Sequence, residues 1–126
     1  MTGDRSKTIE TIRGRYLYEY RRIYAKNDRI RFFEEISEMA AAESVLGWKI
    51  FAGAMSAWLR KDLGAALALS EDAIALDPKW AYPWNGKGNV LQSQKRHEEA
   101  LAAYEKAIAL DPDFAHPWIN KGNVLQ

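Results

Sequence analysis

The hydrophobic positions of the chain recur with the spacing of an α-helix. Trp84, Gly88 and Leu91 lie four and three residues apart, so they share one face of a helix. Apolar residues recur at similar spacing over residues 9–24 and again over residues 30–39. This pattern predicts a protein built from amphipathic helices.

The chain also repeats itself with a period of 34 residues. Residues 81–92 read AYPWNGKGNVLQ, and residues 115–126 read AHPWINKGNVLQ. The match extends backward, because residues 66–78 parallel residues 100–112 and both stretches end in Asp-Pro. A fixed period of this size is typical of stacked, nearly identical structural units.

Proline positions predict where the helices of each unit begin and end. The residue before a proline is disfavoured in the α conformation, so one helix should end at Leu76 and its equivalent at Leu110. Proline is tolerated in the first turn of a helix, so new helices should begin near Pro83 and Pro117. Each unit is then a helical hairpin, with its inner turn near 93–96.

This unit resembles the tetratricopeptide repeat, a helical hairpin whose period is also 34 residues. The motif residues are Trp84, Gly88, Leu91, Ala100, Tyr104, Ala107 and Pro112. The resemblance is strong over residues 47–126 and degenerate over residues 13–46. It implies an all-α fold in which antiparallel helical hairpins stack as a right-handed α-solenoid.

We expect one helical-repeat domain over residues 1–126. Its expected parts are an N-terminal helical cap with a degenerate repeat (1–46), two repeats (47–80 and 81–114) and the first helix of a truncated repeat (115–126). In the degenerate unit, the bulky Tyr20 and Phe32 replace small residues that let helices approach, so its hairpin should be splayed.

The resemblance implies a concave groove, lined by the first helices, that binds a peptide or a partner protein. The candidate groove residues are Asn85, Asn89, Gln92, Asn120, Asn123, Tyr82, Trp48, Phe51, Met55 and Trp58. Side-chain amides can bind a peptide backbone through their donor and their acceptor; alternatively, they solvate a polar helix face. The apolar candidates either form an open pocket or are covered by the N-terminal helix.

The chain stops at Gln126, within the second copy of the duplicated sequence. Apolar residues of this last helix would normally pack against a following helix, and we expect them to mediate self-association as a homo-oligomer. They are Trp118, Ile119, Val124 and Leu125. A structural self-assembly module, excised or engineered, is therefore the alternative to a peptide-binding scaffold.

Charge is nearly balanced over the chain but is uneven along it. The formal net charge is +1, yet seven arginines and lysines lie over residues 13–31 against Glu19 and Asp28. Interleaved tyrosines invite a nucleic-acid interpretation. Because those tyrosines lie at helical spacing, a packed core with a solvated basic face is the preferred interpretation, and nucleic-acid binding is not expected.

The composition argues against catalysis, cofactors and metal binding. The chain has no cysteine and two distant histidines, and its carboxylates lack a nearby nucleophile or base. We therefore expect a protein that is not an enzyme, with no metal and no cofactor. The polar N-terminus and the absence of a long apolar run predict a cytoplasmic protein that does not span a membrane.

Overall fold

The computed structural model describes residues 5–23, 25–42 and 46–126 of the chain. Their α-helices are α1 (Arg5–Gly14), α2 (Lys26–Ala42), α3 (Leu46–Leu59), α4 (Leu63–Leu76), α5 (Ala81–Ser93), α6 (His97–Leu110) and α7 (Ala115–Leu125). A π-helical turn (Arg15–Glu19) and a 3-10 turn (Tyr20–Arg22) follow α1. These residues contain no strand, which confirms the all-α prediction. Tyr24, which the periodicity included in the first helical stretch, lies outside the described residues.

The Asp-Pro pairs end helices at the predicted residues. Helix α4 ends at Leu76 and α6 ends at Leu110. The carboxylate of Asp77 then accepts a hydrogen bond from the backbone N–H of Lys79 at 3.2 Å. Asp111 repeats this bond one period later with the N–H of Asp113 at 3.3 Å. The two connections therefore have the same local geometry because they have the same local sequence.

The turns inside the hairpins also repeat, with a lysine in the left-handed conformation. Lys61 has φ 68° and Lys95 has φ 64°. After Lys61, the N–H of Asp62 donates to the carbonyl of Ala57 at 2.9 Å, the long hydrogen bond of a Schellman motif. This bond closes the end of α3 and reverses the chain into α4, and its counterpart after Lys95 does so between α5 and α6.

From α2 onward, each helix packs against the next one in the chain. The closest approach in the α5–α6 hairpin is at Gly88, where an added β-carbon would lie 2.5 Å from Cε1 of Tyr104. The Tyr104 ring is fully buried. Helices α5 and α6 therefore touch at this glycine, and consecutive helices of the described residues pack as stacked hairpins.

The N-terminal segment, residues 5–22, departs from the regular stacking. Helix α2 packs along α3. The segment contacts α2 through Tyr20 and Arg15, and it reaches α3 and α5 through the ring of Tyr16. The first helix is also not continuous as the periodicity predicts, since it widens into the π-helical turn. That turn places Tyr16 and Tyr20 on the same side, where their rings stack at 5.8 Å.

Candidate peptide-binding face

Helices α3 and α5 and the start of α7 present one face to the N-terminal segment. We call it the inner face and define it by Trp48, Phe51, Tyr82, Asn85 and Phe114. Trp48 and Tyr82 are one period apart, as are Phe51 and Asn85. Since equivalent positions of successive hairpins point the same way, the repeat itself builds this face.

Tyr16 lies at the centre of an aromatic cluster on the inner face. Its ring centroid is 4.9 Å from that of Tyr82 and 6.1 Å from that of Phe114. It meets Phe51 edge-on, with 5.4 Å between centroids and an angle of 90° between the rings. Such pairs contribute about 0.5–1.5 kcal/mol each beyond their buried area. Tyr16 is only 2% exposed, so the cluster anchors the N-terminal segment.

The apolar candidates from the sequence are covered rather than open. Trp48, Phe51 and Met55 are 5%, 0% and 2% exposed, and they belong to the same core cluster as Tyr16. Trp58 is partly buried, and its indole N–H donates to the hydroxyl of Ser93 at 2.8 Å. Of the two sequence-based alternatives for this patch, an open pocket and a cover, the structure has the cover.

A group of amide side chains adjoins the aromatic cluster. The amide nitrogen of Asn120 donates to the side-chain oxygens of Asn85 at 3.0 Å and of Asn89 at 3.1 Å. The hydroxyl of Tyr104 lies 2.7 Å from the same Asn89 oxygen and 2.9 Å from that of Gln92. Helices α5, α6 and α7 are therefore linked through one hydrogen-bonded amide cluster.

The amide candidates differ sharply in their accessibility. Asn85 is only 1% exposed, so the expectation that it faces an open groove is corrected: its oxygen is used inside the protein. Asn89, Gln92 and Asn120 are partly exposed, and Asn123 is exposed. The contribution of Tyr104 was missed, because the repeat pattern assigned this residue to packing and gave no signal for its hydroxyl.

The α5–α6 hairpin supplies both the aromatic and the amide parts of this face. The family model of the tetratricopeptide repeat matches residues 81–114, which begin with α5 and include all of α6. These residues form a tetratricopeptide repeat. No curated protein matches the chain. A tetratricopeptide repeat suggests a protein–protein interaction module, and the family is generally a non-catalytic scaffold.

Features on either side of this tetratricopeptide repeat continue its geometry. The indole N–H of Trp84 donates to the carbonyl of Pro78 at 3.0 Å, and that of Trp118 donates to Pro112 at the same distance. The left-handed Lys61 in the α3–α4 turn likewise matches Lys95. The periodicity seen in the sequence thus extends beyond the matched residues in three dimensions.

Burial keeps the tyrosines of the inner face and of the tetratricopeptide repeat in their neutral form. It raises the pKa of Tyr16, Tyr20, Tyr82 and Tyr104 above the ordinary value. The nearby guanidinium of Arg13 opposes this effect at Tyr82, but burial dominates and the pKa stays raised. At neutral pH these hydroxyls therefore remain hydrogen-bond donors.

The residues predicted to mediate self-association lie on α7, after the tetratricopeptide repeat. Trp118, Ile119 and Leu125 are 51%, 62% and 64% exposed, while Val124 is partly buried against the core of the α5–α6 hairpin. On α5, the equivalent of Leu125 is Leu91, which α6 helps to bury to 1% exposure. The exposed face of α7 thus corresponds to a face of α5 that α6 helps to cover.

Part of the basic stretch holds the N-terminal segment in place. The guanidinium of Arg13 donates to the hydroxyl of Tyr82 at 3.3 Å. Arg15 pairs with Glu35 on α2 at 2.9 Å. Arg29 donates to the carbonyl of Ile23 at 2.6 Å. These contacts give the three arginines an intramolecular role, which the sequence interpretation as a solvated basic face did not include.

Residues 5–23, 25–42 and 46–126 contain neither a candidate metal site nor a candidate membrane span. Over these ranges, no group of three or more histidine, cysteine or acidic side chains is arranged to bind a metal ion. None of the helices there combines the length and apolarity needed to cross a bilayer.

Proposed function

We propose that the chain is a scaffold that binds a peptide, or a segment of a partner protein, on its inner face. One observation carries this proposal: a helical segment of the chain itself lies against that face, with Tyr16 contacting α3, α5 and the start of α7. A face that accepts one helix through an aromatic anchor has the shape and the apolar surface for a similar helix from a partner.

The amide cluster supplies the polar half of the proposed site. Asn89 uses its side-chain oxygen for bonds within the protein, and in this proposal its NH2 group donates to a peptide carbonyl. The exposed Asn123, one period later, offers a second amide. Amides spaced by the repeat suit the recognition of a peptide backbone, because they supply donors and acceptors without a net charge.

Peptide selection followed by binding measurements tests this proposal. Peptides selected from a displayed library on the intact chain are labelled, and their affinity is measured by fluorescence anisotropy. We expect Asn89→Ala and Asn123→Ala each to weaken binding by up to about tenfold, as for the loss of one hydrogen bond.

Asn27→Ala is the matched control, since Asn27 is an exposed asparagine on α2. It should leave the affinity unchanged. Circular dichroism melting of each variant separates loss of binding from loss of folding, because Asn89 also accepts a bond from Tyr104. If the wild type, Asn89→Ala and Asn123→Ala bind the peptide with equal affinity, the proposed polar site is contradicted.

A second candidate function is self-association through α7, with a second copy of the chain as the partner. The exposed Trp118, Ile119 and Leu125 favour it, because the equivalent face of α5 packs against a helix. Burial of such residues contributes about 25 cal/mol per Å² of apolar area. The equivalent of Leu125 is Leu91, which is not an inner-face residue, so a substitution of Leu125 tests self-association separately from peptide binding.

Light scattering coupled to size-exclusion chromatography tests the second candidate. We expect the wild type to form a dimer whose population rises with concentration and Leu125→Lys to be monomeric. Leu76→Lys is the matched control, since Leu76 is 53% exposed but lies on α4. A wild type that stays monomeric at high concentration would exclude self-association, and Asn89→Ala should leave the oligomer size unchanged.

A further inference from the structure

We propose that the inner-face site is autoinhibited: the N-terminal segment occupies it as an intramolecular ligand, and the external ligand is an amphipathic helix with the same anchors. Those anchors are an isoleucine and, four residues later, a tyrosine, as in Ile12 and Tyr16. The inference rests on the proposed function and extends it by naming the ligand class and the element that controls access.

The N-terminal segment docks on the inner face through Ile12 and Tyr16, and Leu17 and Tyr20 pack against the same core cluster. Ile12 and Tyr16 are 0% and 2% exposed, whereas Thr11 and Tyr18 on the same segment are exposed. Arg13 adds a polar contact to the hydroxyl of Tyr82. Two apolar anchors one helical turn apart, flanked by a cation, therefore define what the face recognises.

The walls around Tyr16 explain why an aromatic anchor is preferred. Trp48, Phe51 and Tyr82 surround its ring with tilted or edge-on contacts at centroid distances of 4.9–6.1 Å. An aliphatic side chain would fill less of this space and would lose the aromatic pairing. Asp111 lines the same cavity as Arg13 and Tyr82, so an arginine at that position of the ligand meets a nearby carboxylate.

Several features of the N-terminal segment favour its displacement. Its backbone passes from α-helix to π-helix to 3-10 helix within residues 5–22, and π-helical turns are frequent at functional sites. Gly14 lies in helical conformation with nothing within 4 Å of an added β-carbon, so it weakens the helix without serving packing. The Arg15–Glu35 pair is partly solvated, and such pairs contribute little.

A helix with the same anchors can displace the N-terminal segment at little cost in free energy. The incoming isoleucine and tyrosine bury the same aromatic walls that Ile12 and Tyr16 leave, so the inner face loses no apolar burial overall. The competition then follows a two-state equilibrium. The apparent affinity of the ligand falls in proportion to the fraction of molecules in which the site is open.

Two neighbouring substitutions in the intact chain should move this equilibrium in opposite directions. The probe is a labelled synthetic peptide of residues 5–23 of this chain, added in trans and followed by fluorescence anisotropy. Arg13→Ala removes the bond to Tyr82 from the intramolecular segment only, so the probe should bind several-fold more tightly. Gly14→Ala strengthens the intramolecular helix, so the probe should bind about fivefold more weakly.

Three controls accompany this binding experiment. A probe with Tyr16→Ala should not bind any form of the chain. Circular dichroism should report folded protein for both chain variants, because both substitutions are at positions that are not buried. Hydrogen exchange should become faster over residues 7–22 of the chain when the unsubstituted probe binds, since the probe takes their place.

The outcomes separate this inference from the proposed function. If selected peptides bind the inner face while Arg13→Ala, Gly14→Ala and exchange over residues 7–22 have no effect, autoinhibition is overturned and the peptide-binding function stands. If neither the probe nor any selected peptide binds the wild type or Arg13→Ala, the peptide-binding function itself fails. Opposite shifts for the two variants, with faster exchange, support autoinhibition.

Discussion

Gly88 and Gly122 occupy equivalent positions one period apart, but their surroundings are opposite. A β-carbon on Gly88 would meet three atoms of the Tyr104 ring at 2.5–2.9 Å, whereas one on Gly122 would meet nothing within 4 Å. At Gly88 the absence of a side chain permits α5 and α6 to touch. At Gly122 the glycine serves no such contact, and it destabilises the helix because glycine loses more conformational entropy on folding than other residues.

Alanine substitution should therefore have opposite effects at the two glycines. We expect Gly88→Ala to lower the free energy of unfolding by about 2 kcal/mol, because the buried Tyr104 ring must move. Gly122→Ala should raise it by up to about 1 kcal/mol through helix propensity. Urea denaturation followed by circular dichroism measures both, and a stabilising Gly88→Ala would contradict the observed helix contact.

At the residue scale, the exposure of the amide side chains could be predicted only in part from the sequence. Their recurrence marked Asn89 and Asn123, but Asn85 occupies a related position on α5 and is buried. Sequence spacing assigns a residue to a helix face, and it cannot say whether another part of the chain covers that face. The hydrogen bond from Asn120 to Asn85 depends on such covering and packing.

At the scale of the helices, each hairpin turn contains a lysine with positive φ. Lys61 and Lys95 close the Schellman motifs that end α3 and α5. Because a β-carbon disfavours the left-handed conformation, glycine is the residue that usually occupies this position. The sequence located the turn near 93–96 but gave no sign of this backbone conformation.

Glycine at these turns should stabilise the hairpins. We expect Lys61→Gly and Lys95→Gly each to raise the free energy of unfolding by up to about 1 kcal/mol, since relief of strain exceeds the entropy that glycine gains when unfolded. Lys79→Gly is the control, because Lys79 lies in a turn but lacks positive φ. The melting temperature should rise for Lys61→Gly and Lys95→Gly only. A higher melting temperature for Lys79→Gly as well would point to a cause other than the positive φ.

The N-terminal segment is the element whose arrangement the sequence predicted least well. Tyr16, one of the tyrosines that helical spacing assigned to a packed core, is buried. The splay expected for this hairpin stays a prediction, since the ring of Tyr20 contacts both Phe32 and Phe33 on α2. Periodicity did not predict the π-helical turn, because residues four apart share a face in a regular α-helix as well.

For the whole molecule, tyrosine ionisation should set the alkaline limit of stability. Burial raises the pKa of Tyr16, Tyr20, Tyr82 and Tyr104 in the folded state above the ordinary 10.0. The folded state therefore binds more protons than the unfolded state above that pH, so stability must fall as the pH rises. Below that pH, these groups keep their full stabilising effect.

The protein should therefore unfold more readily in alkaline solution. The melting temperature should be insensitive to these tyrosines from pH 7 to about pH 9 and should fall above about pH 10. Tyrosinate absorbance at 295 nm, recorded together with circular dichroism, should show these tyrosines ionising as the helices unfold. Complete ionisation of all tyrosines in a fully helical protein would contradict their burial.

The sequence by itself determined the repeat. Its period and the helix ends at Leu76 and Leu110 follow from local backbone preferences and from helical spacing, both of which depend on neighbouring residues. Only the tertiary structure decided that the N-terminal segment lies on the inner face and that Arg13 meets Tyr82 there. Hydrophobic burial is non-directional, so an apolar stripe reveals that a segment must be covered but not which surface covers it.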